Sequence, residues 1–132
     1  SWNQSITDRL LSGALDRLKT LGAVDVTVLR VPGALEIPVA AAALARAGCQ
    51  AIVAIGVVIK GETDHYEIVV RESTSGLSRV ALDTGVPIGN AILAVHDIDA
   101  ALARSGPGEA NKGAEAAEAA VMTATALQQL RG

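Results

Sequence analysis

Cysteine occurs once in this sequence, phenylalanine never, and tryptophan and tyrosine once each. The lone Cys49 excludes an internal disulfide framework and a multi-cysteine metal site, and it reads as a small hydrophobe near a helix end. With only 2% aromatic residues, the core must be aliphatic, and binding of single-stranded nucleic acid by base stacking is disfavoured. Basic runs are absent. The 11 lysines and arginines are interspersed among 14 acidic residues, for a net charge of −3, so neither a nucleic-acid groove nor binding to an anionic membrane surface is expected. No apolar run approaches the ~18 residues of a membrane span, and Ser1–Leu21 carries charges throughout, unlike a signal peptide. A soluble cytoplasmic protein is the expectation. There is no His-x-x-x-His pair or Cys/His cluster, so no metal is expected. The stretch Gly56–Thr63 lacks the Lys-Ser/Thr pair of a phosphate-binding Walker loop, and neither a Gly-x-Gly-x-x-Gly fingerprint nor a Gly-x-Ser-x-Gly elbow occurs.

What is present is alanine, valine, leucine and isoleucine, in a chain of 132 residues that is half apolar. That length suits one domain spanning residues 1–132. Ile6, Leu10, Ala14, Leu18 and Leu21 recur at helical spacing, which predicts a helix over Ser5–Leu21, capped by Asn3 or Ser5 and stopped by Gly22. Val24–Val31 is β-branched and alternating, so it reads as a strand. An alanine-rich helix follows from Ile37 or Pro38 to Ala47. Ala51–Ile59 is nearly all apolar, as in a parallel strand buried on both faces. Thr63 is the expected cap of a long helix ending at Gly85. Ile88–Val95 reads as a third strand, Asp97–Arg104 as a short helix and Ala114–Leu130 as the last helix. Alternation of this kind predicts a parallel sheet covered by helices on both faces. Three strands are too few for so many helices, so a further strand is expected between Val24–Val31 and Ala51–Ile59. The wide alanine-rich helix stripes suggest burial against other copies of the chain.

In open α/β sheets, ligands sit beyond the carboxyl ends of the strands. There the sequence places Gly33–Glu36, Gly61–His65 and His96-Asp97, with Asn90 inside the third strand. A helix beginning after Gly61-Glu62-Thr63 offers free N–H groups to an anion, phosphate above all, and His65 in its first turn is suited to proton transfer. A capped helix with a surface histidine fits the same residues. Glu36 reads either as a first-turn partner of the helix dipole or as a carboxylate that hydrogen-bonds a polar ligand. Arg104 and Lys112 flank a Gly/Pro loop before the last helix; cations at a helix start oppose its dipole, which favours an anionic ligand there. His96 reads as a surface residue.

Four segments, Val31–Pro38, Gly56–Thr63 with His65, Pro87–Leu93 and Asn111–Ala117, together resemble the lumazine synthase family in order and spacing over nearly the whole chain. The resemblance implies a flavodoxin-like three-layer α/β/α fold with a four-stranded parallel sheet, its first strand entering Trp2-Asn3 and not among the three in this sequence. It implies a transferase of riboflavin biosynthesis. Such an enzyme condenses 5-amino-6-(ribitylamino)uracil with 3,4-dihydroxy-2-butanone 4-phosphate and releases phosphate and water, without metal or organic cofactor. By position, Trp2 would stack on the pyrimidine, and Ala34, Leu35 and Glu36 would hold the ribityl chain. Val57, Val58 and Ile59 would bond the heterocycle through their backbone. Glu62 and Thr63 would present N–H groups to the phosphate, and His65 would transfer protons. Asn90, Arg104 and Lys112 would come from the neighbouring subunit, with Arg104 on the phosphate and Glu115 supporting Lys112. The family's basic unit is a pentamer, in some members a decamer or a 60-subunit shell. Asp64 departs from the family, which often has proline or a small or neutral residue there, and Asn90 replaces a common phenylalanine. A catalytically weak paralogue that binds flavin or lumazine would use the same pocket, but intact His65 and Arg104 argue against it. A flavodoxin-like binding or signalling module would show an acidic phospho-acceptor cluster or a Ser/Thr-rich first loop, and neither is found.

Overall fold

The computed structural model describes residues 2–62, 64–107 and 110–131, with the side chain of Trp2 outside that description. Five helices and two strands are present among the described residues. They are α1 (Trp2–Thr20), α2 (Ile37–Arg46), β1 (Ile52–Ile59), α3 (Tyr66–Thr84), β2 (Ile88–Val95), α4 (Ile98–Ala103) and α5 (Lys112–Arg131). Most boundaries follow from local chemistry. Pro38 stands in the first turn of α2, where its missing N–H costs nothing. Gly85 ends α3 in the left-handed conformation, with φ 74°. Asp97 caps α4 by accepting the Ala100 N–H at 2.9 Å. At the amino end the expectation fails: α1 already includes Asn3 and Ser5, so neither caps it.

β1 and β2 run parallel, in register from Ile52 opposite Ile88 to Ile59 opposite Val95. Helices cover both faces. On one side Ile37 and Ala41 of α2 and Leu77 of α3 pack with Ile52 and Ala54. On the other, Ile6 and Leu10 of α1 and Ala101 of α4 pack with Ile59, Leu93 and Val95. Ile6 and Leu10 are fully buried; each such side chain contributes about 1.5–3 kcal/mol. α5 contributes a face of alanines, with Ala116, Ala117 and Ala120 buried. Small residues let it approach the sheet so closely that a Cβ on Gly89 would collide with the carbonyl oxygen of Ala116.

The expected strand Val24–Val31 carries no ladder, and the sheet of the described residues has two strands rather than four. The parallel α/β arrangement with helices on both faces stands, with two of its strands seen among the described residues. The segment forms neither strand nor helix and bends at Asp25, which takes a positive φ of 55°, and Val24 is 81% exposed. It does not pair with β1 either. A cavity of about 1260 Å³ lies between them, lined by Val24–Val31 on one side, Ala51–Val57 on the other, and Leu11, Leu15 and Leu18 of α1. A strand is defined by its neighbour, and β-branched sequence alone does not supply one.

Candidate functional site

The carboxyl ends of β1 and β2 lie side by side, at Ile59 and Val95. Beyond Ile59 the chain makes a single 3-10 turn, Lys60–Glu62, and α3 begins at Tyr66 with His65 as its N-cap residue. The expected cap, Thr63, lies outside the described residues. His65 therefore stands one residue before the helix rather than within its first turn. Its carbonyl oxygen accepts the Val69 N–H at 2.9 Å, and its side chain makes no capping hydrogen bond. Glu62, Asp64 and His65 are exposed. Val58 and Ile59 are buried in the core, so only their backbone remains for a ligand, while Val57 lines the cavity.

After the Val24–Val31 segment, Ala34–Glu36 forms a 3-10 turn in which the Glu36 N–H donates to the Gly33 carbonyl at 3.1 Å. Glu36 precedes α2 without a side-chain cap and, like Leu35, is exposed. Ala34 joins Val57 and Asn3 in the cavity lining, so one expected ribityl position and one expected heterocycle position share one space. Leu35, Glu36, Val58, Ile59, Glu62 and His65 lie outside that lining, as do Asn90, Arg104 and Lys112. Of Trp2 only the backbone, opening α1, is described.

Asn90 is exposed on β2, where its Oδ1 accepts the Ile92 N–H at 2.8 Å. Arg104 corrects the electrostatic argument from sequence. It is the C-cap residue of α4, and its Nη1 donates to the Ala100 carbonyl at 3.1 Å, a position where a cation suits the helix dipole. Only Lys112 sits at a helix start. Its Nζ lies 3.7 Å from Glu115 Oε1, and its backbone N–H donates to the Arg104 carbonyl at 2.8 Å, which ties the two cationic residues together. Asn111, which opens the Asn111–Ala117 segment and to which the sequence assigns no site role, is buried next to Lys112; an asparagine directly preceding a helix is its one local signal. Among the described residues, no group of three His, Cys, Asp or Glu side chains is placed to hold a metal, and no helix is long and apolar enough to cross a membrane.

The profile of the 6,7-dimethyl-8-ribityllumazine synthase family matches residues 1–128. A protein of that name from Leifsonia xyli is 47% identical, over 100% of this chain and 84% of its own length. One from Kineococcus radiotolerans is 50% identical, over 96% of this chain and 80% of its own length. A more distant one, from Nitratidesulfovibrio vulgaris, is 42% identical over 98% and 85%. The parallel β1-α3-β2 unit, the turn from β1 into His65 and the joined Arg104–Lys112 pair thus occur in a chain that belongs to the 6,7-dimethyl-8-ribityllumazine synthase family.

Proposed function

We propose that this protein condenses 5-amino-6-(ribitylamino)uracil with 3,4-dihydroxy-2-butanone 4-phosphate to give 6,7-dimethyl-8-ribityllumazine. The family match over residues 1–128, which spans every candidate site residue from Trp2 to Lys112, carries this reading. The amine of the pyrimidine attacks the ketone carbonyl and water leaves, forming a Schiff base; phosphate is then eliminated, and the ribitylamino nitrogen closes the ring on the remaining carbonyl with loss of a second water. Both substrates are reactive, so holding them together supplies much of the rate. His65, at the mouth of α3, moves protons, and the first-turn N–H groups of α3 with Glu62 and Thr63 receive the phosphate. Ala34, Leu35 and Glu36 hold the ribityl chain. Trp2 and the outer backbone edge at Val57–Ile59 hold the heterocycle. The test is turnover by the purified protein with both substrates. Lumazine and inorganic phosphate are expected in equal amounts. Binding of lumazine without turnover would favour the weak-paralogue reading instead.

The site is shared between copies in a pentameric ring, with Asn90, Arg104 and Lys112 contributed by the neighbouring chain and Arg104 on the phosphate. Large apolar side chains left exposed support self-association, among them Val39, Ile68, Leu82 and Met122, at 48–84% exposure. The sheet is completed to four strands by one extended apolar strand running parallel to β1 in the cavity beside it. Support comes from the cavity lined by both Val24–Val31 and β1, and from the edge of β1 that pairs with no strand among the described residues, since buried backbone groups need partners. Hydrogen exchange on the assembled protein checks this. The amides of Val24–Val31 are expected to be protected comparably to those of β2; exchange as fast as in a free loop would rule the strand out.

A further inference from the structure

We infer that Asn111 is a positioning residue for phosphate binding, holding the Arg104–Lys112 turn against α1 through its side-chain amide. The inference rests on the reading of Arg104 as a phosphate ligand. Asn111 is 1% exposed, and both ends of its amide are used. Oδ1 accepts the Ala114 N–H at 3.0 Å, an N-cap bond to α5. Nδ2 faces three carbonyl oxygens: Arg9 of α1 at 3.1 Å, Ser105 at 3.2 Å and Gly106 at 2.9 Å. The opposite amide orientation would set an oxygen against three oxygens, so the network admits only this one. The Ser105 carbonyl also accepts Arg9 Nε at 3.2 Å. Arg104, the residue before Ser105, is bonded through its carbonyl to the N–H of Lys112, the residue after Asn111. Both cations thus hang from a turn that one buried amide fastens to α1.

α1 is shaped around that amide. A Cβ on Gly13 would collide with the Asn111 side chain, and one on Gly113 would collide with the Leu10 carbonyl. Helix capping alone does not require this arrangement, because aspartate and serine cap about as well as asparagine. Among these three, only asparagine combines an acceptor for the cap with two donors for the carbonyls. The position asks for more than a cap, and the additional function is to order the segment carrying Arg104.

The test compares Asn111→Ser and Asn111→Asp with the wild type, alone and combined with Arg104→Ala. Gly13→Ala serves as a variant that displaces the amide without altering it. If Asn111 works through Arg104, Asn111→Ser raises KM for the phosphorylated ketone about 10-fold or more, as misplaced binding groups do. KM for the pyrimidine and kcat then stay within about threefold. Gly13→Ala acts in the same direction, and adding Asn111→Ser to Arg104→Ala changes nothing further. An unchanged KM in the Ser and Asp variants, with Arg104→Ala impaired, would reduce Asn111 to a cap and overturn the inference; so would effects that multiply in the double variant. Hydrogen exchange at the Lys112 amide separates this failure from that of the functional reading. It accelerates in Asn111→Ser if the clamp exists, whether or not Arg104 binds phosphate. Unchanged exchange in both Asn111→Ser and Gly13→Ala would remove the clamp itself.

Discussion

Arg104→Ala is expected to raise KM for the phosphorylated ketone by about 10- to 100-fold, the usual weight of a charge-assisted hydrogen bond. The KM of the pyrimidine should change little. In the single chain the Arg104 guanidinium is exposed, its only described hydrogen bond running from Nη1 to the carbonyl of Ala100. Such a side chain is free to turn toward a phosphate on another copy without breaking a buried network. A guanidinium engages two phosphate oxygens at once, whereas an ammonium acts as a point charge, so Arg104→Lys is expected to recover only part of the loss. Steady-state kinetics with each substrate varied in turn checks the split. An equal fall in kcat for both substrates, with KM unchanged, would place Arg104 in the chemical step rather than in phosphate binding.

His65→Ala should lower kcat by up to ~10²-fold, at the low end of what general acid–base catalysis supplies, because the substrates react partly unaided. His65 is exposed at the N-cap of α3, next to the strand end where the substrates are proposed to meet. Its loss removes proton traffic but not the N–H groups of the helix, so phosphate affinity should be retained. Single-turnover measurement isolates the chemical step. A loss of ~10⁵-fold would assign His65 a larger part than proton transfer, and no loss would remove it from the mechanism.

How much of this was legible in the sequence depended on how local the cause is. The stop of α3 at Gly85 and the parallel strand Ile88–Val95 follow from residues adjacent in the chain, and both appear as expected. Val24–Val31 has the composition of a strand, but its pairing depends on what lies across the cavity, which no residue of the segment specifies. A threonine before a helix is a strong cap signal and predicts a helix starting at Thr63, whereas α3 begins only at Tyr66, after the Lys60–Glu62 turn. In sequence Arg104 stands near the helix that follows it, but its guanidinium bonds the short α4 that precedes it. Asn111 opens one of the recognisable segments, but its structural role is not legible there. Its importance lies in the carbonyls of Arg9, Ser105 and Gly106, and the first of these is far away in sequence. The chemistry-bearing motifs themselves needed no such long-range information, since Gly61–His65 and the Asn111–Gly113 start of α5 are each contiguous in the sequence.

The shared site is tested most directly by mixing. His65→Ala and Arg104→Ala chains are unfolded together in equal amounts and refolded, and the turnover of the mixture is compared with each variant refolded alone. If each site takes His65 from one chain and Arg104 from its neighbour, random assembly in a closed ring leaves about a quarter of the sites fully intact. Two weak parents should then yield a mixture clearly more active than either. A mixture that only averages its parents would mean that both residues act within one chain, and the interfacial site would be wrong for this protein.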